Sequence, residues 1–163
     1  GMKHSLSVLV ENKPGVLTRI TGLFARRSFN IDSLAVGETH NPLFSRITIT
    51  VDGQDQPIEQ VTKQLHKLIN VLKITDLDVE ERLERELLLV KVKANADNRV
   101  EIMQIAEVFE AKIVDISPET AVIEATGPRT KVNALLELLG SMHVVIELVR
   151  TGKVAIRRGP RPT

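Results

Sequence analysis

Hydrophobic and polar residues alternate strictly near the start of the chain. Leu6, Val8 and Val10 interleave with Ser5 and Ser7, the period-two mark of a strand with one buried face. After Glu11-Asn12-Lys13-Pro14-Gly15 the period lengthens. Val16, Leu17, Ile20, Leu23 and Phe24 then share one face of a helix reaching about Arg27. Gly22 lies inside that helix at a local cost of about 1 kcal/mol relative to Ala, either for close packing against a sheet or a partner or as a tolerated defect. A second strand is predicted from Asn30 to Val36, ending near Gly37, and Asn41-Pro42 marks a turn. The third strand turns Ile47, Ile49 and Val51 inward and Arg46, Thr48 and Thr50 outward, and ends at Asp52-Gly53. Asp55 and Pro57 open a second helix with the face Ile58, Val61, Leu65, Leu68 and Ile69, closed by Asn70. A fourth strand follows from Val71 to about Val79. Its alternation slips between Ile74 and Leu77, which predicts a bulge or strand end around Thr75-Asp76.

The same order then repeats. A charged junction, Glu80 to Glu86, reads as a solvated salt-bridge surface. Leu88, Val90, Val92 and Ala94 form a strand; Asn98 and Glu101 suit a capping box; Ile102, Ile105, Ala106 and Phe109 make a helical face. Two strands, Ile113–Ile116 and Ala121–Ala125, meet at Ser117-Pro118-Glu119. Gly127-Pro128 starts a helix bearing Val132, Leu135, Leu136 and Leu139, which Gly140 ends, and Val144–Val149 is the last strand. Two βαββαβ units predict an α+β protein of two consecutive ferredoxin-like modules, with antiparallel sheets and helices on one face. The boundaries are 4–78 for the first, 79–86 for the junction and 87–163 for the second with its tail. Gly152 to Thr163 carries Lys153, Arg157, Arg158 and Arg161 and reads as a solvated, partly disordered tail, the alternative being docking onto an acidic partner.

Composition narrows the function classes. Among 163 residues, 22 Lys and Arg nearly cancel 21 Asp and Glu, so no global field favours nucleic acid or an anionic membrane. Neither a membrane-length apolar run nor a secretory leader is read, and the absence of cysteine fits a cytoplasmic protein and removes disulfides and thiolate chemistry. Four Phe with no Tyr or Trp leave an aliphatic core and no base-stacking platform, against an RNA-recognition module.

Candidate chemistry sits in the first turn. Pro14 suits the opening of a helix, and Gly15 admits close approach to the backbone. The first-turn N–H groups point outward with the positive end of the helix dipole behind them, a seat for a carboxylate or phosphate. The alternative is an ordinary strand-to-helix turn. No glycine-rich phosphate loop or nucleophile elbow occurs. His4, His40, His66 and His143 show no metal-ligand spacing. An acylphosphatase-like use of Asn12 and Arg19 fails because Arg19 falls on a helix face. The balance favours a binding module over an enzyme.

Several stretches together carry a family resemblance. They are Leu6–Asn12 running into Pro14–Leu17, Gly22–Arg27, Asn30–Leu34, Ser45–Ile49, Lys63–Leu68, Glu84–Val92 and Arg150–Val154. Residues 4–78 resemble an ACT domain, an amino-acid-sensing module, and the whole chain resembles the small regulatory subunits of acetolactate synthase (acetohydroxyacid synthase). The resemblance implies a subunit with no active site and no cofactor of its own. It would bind and activate a large catalytic subunit and confer feedback inhibition by valine or a related branched-chain amino acid. That partner would carry thiamine diphosphate, Mg²⁺ and FAD. The family's effector site maps onto Asn12, Pro14, Gly15, Val16, Leu17, Asn30 and Ile31, and lies between paired ACT modules, so the resemblance also implies a homodimer in which Asn30 comes from the neighbouring chain. Thr39–Leu43 and the tail receive no function. The alternative is a freestanding ACT sensor acting on another protein.

Overall fold

The computed structural model describes residues 3–52 and 58–163. The predicted helix opening at Asp55 and Pro57, and Gly53, lie outside the described residues. The chain divides into two compact units, Gly1–Leu83 with Lys153–Thr163, and Glu84–Gly152.

In the first unit the elements are β1 (Lys3–Glu11), α1 (Val16–Arg26), β2 (Asn30–Glu38), β3 (Phe44–Asp52), α2 (Ile58–His66) and β4 (Val71–Leu77). The antiparallel sheet runs β2-β3-β1-β4. The predicted inward residues meet in one core: Leu6, Val8, Ile20, Phe24, Ile47, Ile49, Val61 and Leu65 are all essentially inaccessible. Burying each such side chain contributes about 1.5–3 kcal/mol, which is why the alternation fixes the register. The apolar stripe of α2 stops short of the prediction. Its helix ends at His66, and Ile69 stands 90% exposed in the turn that follows.

Of the bulge or strand end expected around Thr75-Asp76, the structure has the strand end, with β4 closing at Leu77, and no bulge. Ser7 faces Thr75, Leu6 faces Asp76 and Ser5 faces Leu77 in unbroken register, and the slip lies at the other end of β4, near Leu9 and Val10. Ile74 and Leu77 simply belong to opposite faces. Leu77 is buried on the far one, which the alternation rule had treated as solvent-facing.

That outer face is covered. Ser5, Ser7, Ser33, Thr48, Thr50 and Thr75 point away from the helices yet are all buried. The tail is folded rather than free: Lys153–Thr163 belongs to the first unit, with Lys153, Ala155 and Thr163 buried and residues 158–162 exposed. After β9 (Val154–Arg157), which packs on β1 and β4, the chain is tied by Thr75 Oγ1 donating to Thr163 O at 2.6 Å. Beside the opening of β5, Arg158 N donates to Glu81 O at 2.7 Å. Thr75 Oγ1 and Ser33 Oγ bond the tail's backbone, while Ser7 Oγ accepts from Arg46 at 2.6 Å.

The second unit contains β5 (Arg82–Lys93, mostly within it), α3 (Arg99–Val108), β6 (Lys112–Ile116), β7 (Thr120–Gly127), α4 (Arg129–Ser141) and β8 (Val145–Arg150). Its sheet runs β6-β7-β5-β8, around a core of Leu88, Val90, Val92, Ile102, Ile123, Leu135 and Leu139. Three local expectations change. The charged junction is largely strand: Glu86 is 2% exposed and ion-paired to Arg150 Nε, so it is an interior carboxylate. The Asn98–Glu101 capping box does not form, and no side chain caps α3. Asn95 Oδ1 instead accepts from Asp97 N and Asn98 N, and Asn98 Oδ1 accepts from Asn95 N at 2.8 Å; the local Asx turn satisfies the same groups first. Gly140 lies within α4 rather than ending it.

Candidate functional site

Gly15 is the N-cap of α1 with φ 82°, in the left-handed region, a conformation that costs a side-chain-bearing residue about 1–2 kcal/mol. A Cβ placed there would meet nothing within 4 Å, so the space over the turn is open. The first intrahelical bond is Arg19 N to Gly15 O at 3.0 Å, and Val16 N reaches Lys13 O at a weak 3.4 Å. No side chain caps the helix. Among the described residues, the N–H groups of Gly15, Leu17 and Thr18 therefore have no protein acceptor, the arrangement that receives an anion. Val16 is buried and anchors the turn to the core, while Leu17 is 38% exposed beside the opening. The turn is an open surface. The neighbouring cleft, about 450 Å³, is lined by Leu9, Glu38, His40, Phe44 and Arg46, and the larger one, about 590 Å³, lies away from it at Arg27, Lys63 and Lys67.

Residues the sequence left unassigned hold this turn in place. Asn12 N donates to Leu43 O at 2.8 Å, and Asn12 Nδ2 donates to Pro42 O at 3.2 Å and Glu38 Oε1 at 3.4 Å. The β2–β3 loop, to which no function was mapped, is thus its brace on one side. On the other, Glu11 N donates to Asn70 O at 2.9 Å and Arg19 donates to Asn70 Oδ1 at 2.9 Å. Lys13 hydrogen-bonds and ion-pairs with Glu11 at 3.0 Å and holds its carboxyl below the ordinary value. The signal available in the sequence was Asn41-Pro42, whose turn points carbonyls back toward the strand start.

The candidate residues do not all meet. Asn12, Pro14, Gly15, Val16 and Leu17 stand at the end of the sheet where Glu11 faces Phe44. Asn30 and Ile31 begin β2 where Asn30 faces Asp52, the full length of β3 away, about 27 Å at strand rise. Ile31 packs on the core edge. Asn30 is exposed, and its Nδ2 donates to Asp32 Oδ1 at 3.2 Å; Asp32 also pairs with Lys3 at 2.9 Å. One chain therefore holds the two groups of candidate residues at opposite ends of its sheet. Among the described residues no group of three or more His, Asp and Glu could hold a metal ion, and no helix is long and apolar enough to cross a membrane.

Comparison with known proteins assigns the family. Residues 6–73 match the model of the AHAS small subunit-like ACT domain, and residues 85–159 match that of the small subunit of acetolactate synthase. The chain is 51% identical to the acetolactate synthase small subunit of Mycobacterium bovis, over 97% of this chain and 94% of the relative. It is 50% identical to a probable acetolactate synthase small subunit of Archaeoglobus fulgidus, over 97% and 98%. The crystal structure of the small subunit from Thermotoga maritima superposes with a TM-score of 0.91 at 47% identity, covering 99% of this chain and all of that one. The ferredoxin-like reading of both units is thereby borne out, and the chain belongs to the acetolactate synthase small-subunit family.

Proposed function

We propose that this chain regulates acetolactate synthase: it binds the large catalytic subunit, raises its activity, and makes it inhibitable by valine or a related branched-chain amino acid. The observation that carries the reading is the open, uncapped start of α1 at left-handed Gly15. Backbone N–H groups there suit an α-carboxylate. Asn12 and Asn30 each commit Nδ2 to a protein acceptor, which leaves Oδ1 to accept from an α-ammonium group. Ile31 and Leu17 supply apolar surface for a branched side chain. The two half-sites complete each other when a second ACT module approaches in the opposite orientation, so the effector site belongs to a homodimer. The β2 edge is unpaired among the described residues, and dimerisation relieves that exposed edge. Thiamine diphosphate, Mg²⁺ and FAD belong to the catalytic partner, which condenses pyruvate with pyruvate or 2-oxobutyrate.

Reconstitution tests this reading. Adding the protein to a separately purified acetolactate synthase large subunit is expected to raise acetolactate production and to make it fall on addition of valine. No activation, with a different protein retained on the immobilised chain, would instead favour a freestanding sensor.

A further inference from the structure

The helical layer of the first unit is strongly basic. α1 contains no Asp or Glu and α2 contains only Glu59, while Arg26 and Arg27 close the first helix and Lys63 and Lys67 the second. A basic residue in a helix's last turn offsets the dipole there, and one per helix is enough for that. Here the four cations share one place. Arg27, Gln64 and Lys67 line both of two clefts, of about 590 and 360 Å³; Lys63 lines the larger, and Arg26 and buried Leu23 the smaller. The two clefts therefore form one groove.

Among the described residues none of the four cations stands within ion-pair distance of a carboxylate. Gly22 gives one of them room, since a Cβ there would stand 3.3 Å from Arg26 Nη1. Gly22–Arg27 and Lys63–Leu68 are also two of the stretches that carry the family resemblance. The core accounts for their Leu23, Phe24 and Leu65. It does not account for exposed Arg26, Lys63 and Lys67, and no residue of either stretch belongs to the effector site.

We propose that this basic groove is the surface on which the large catalytic subunit docks, through an acidic segment of that partner. The proposal rests on the regulatory reading above and deepens it. Like charges held in one groove repel one another, and carboxylates laid along it relieve that repulsion. The two guanidinium forks match carboxylate geometry. The groove also stays free in a dimer built on the β2 edge, because α2 packs on β4, at the opposite edge of the sheet. Exposed charges of this kind act on encounter and specificity, and salt weakens them.

The test measures the concentration of full chain that half-maximally activates a separately purified acetolactate synthase large subunit. Combining Lys63→Glu with Lys67→Glu is expected to raise it about tenfold. The neutral pair Lys63→Gln with Lys67→Gln should raise it about threefold, since a removed charge ceases to attract and a reversed one repels. The neutral pair decides if the glutamate pair misfolds by circular dichroism. Combining Lys73→Glu with Lys112→Glu changes net charge equally outside the groove and should stay within about twofold of wild type. Raising NaCl from about 50 to about 500 mM should weaken activation by wild type more than by the neutral pair. If both groove pairs activate at the wild-type concentration, or the outside pair loses as much as the glutamate pair, the groove is overturned and the regulatory reading stands. If the groove pairs change the sedimentation of the isolated chain, the groove belongs to a second copy and the docking proposal is likewise overturned. If wild type fails to activate the large subunit, the regulatory reading fails and takes the docking surface with it.

Discussion

The two modules share an element order and differ at the turn after their first strand and on the outer face of their sheets. In the first, the turn is shaped by backbone, with left-handed Gly15 leaving N–H groups open. In the second, side chains of Asn95 and Asn98 fill the equivalent turn with their own hydrogen bonds. The first sheet's outer face is small, hydroxylic and buried; the second carries Leu89, Glu124, Lys91 and Val149, with Val149 66% exposed. The inner faces, both aliphatic, make the fold. The differences between the two modules lie where the fold does not constrain the residue.

The sharpest way to probe that contrast is through ion pairs. Arg150→Ala strands the buried Glu86 carboxylate in the second module. It should cost about 3 kcal/mol in urea unfolding, since an uncompensated interior charge remains. Lys3→Ala, removing the exposed partner of Asp32 in the first, should stay within about 0.5 kcal/mol.

The turns come next. Gly15→Ala should cost about 1–2 kcal/mol through its left-handed φ alone, because no neighbour crowds a Cβ there. Asn95→Ala should cost about 1 kcal/mol through lost hydrogen bonds. A Gly15→Ala chain as stable as wild type would erase the distinction between a backbone-built and a side-chain-built turn.

The outer faces give a smaller effect. Thr75→Val removes the donor to Thr163 O and should cost about 1 kcal/mol while speeding protease trimming of the tail. Val149→Thr, on the uncovered face, should leave unfolding unchanged within about 0.5 kcal/mol.

The smallest effect concerns Glu11. Its carboxyl is held below its ordinary value of 4.5 by the hydrogen bond and charge of Lys13. Such a group stabilises the fold above the unfolded value, and the contribution disappears as pH falls through the folded value. Glu11→Gln should therefore lower Tm slightly at neutral pH and leave it equal to wild type in acid. A gap that widened on acidification would reverse the assignment.

The sequence was most informative where one physical rule acted alone. Leu6, Val8 and Val10, or Ile47, Ile49 and Val51, could face only one core, and their register follows. Gly15 announced an approachable backbone, while its left-handed φ came only with the structure. What the sequence concealed was tertiary. Ser5, Ser7, Thr48 and Thr50 looked like solvent-facing residues because hydroxyls serve equally well under water or under a docked backbone. Leu77 looked out of phase because only the tail makes its face an interior. Glu86 read as surface among Glu84, Arg85 and Glu81, since its partner Arg150 lies 64 residues away. The brace formed by Pro42, Leu43 and Asn70 works mainly through backbone carbonyls, which side-chain patterns do not encode. The separation of Asn30 from Gly15 follows from strand direction, legible once the βαββ order is drawn.

In the proposed function, the Gly15 turn receives the carboxylate of a branched-chain amino acid. Calorimetric titration of the full chain with valine, repeated on Gly15→Asp, tests it most directly, because the introduced carboxylate occupies the ligand's place. Wild type is expected to bind valine, and binding is expected to vanish in a Gly15→Asp chain with an unchanged circular dichroism spectrum. Equal binding by both chains would contradict it.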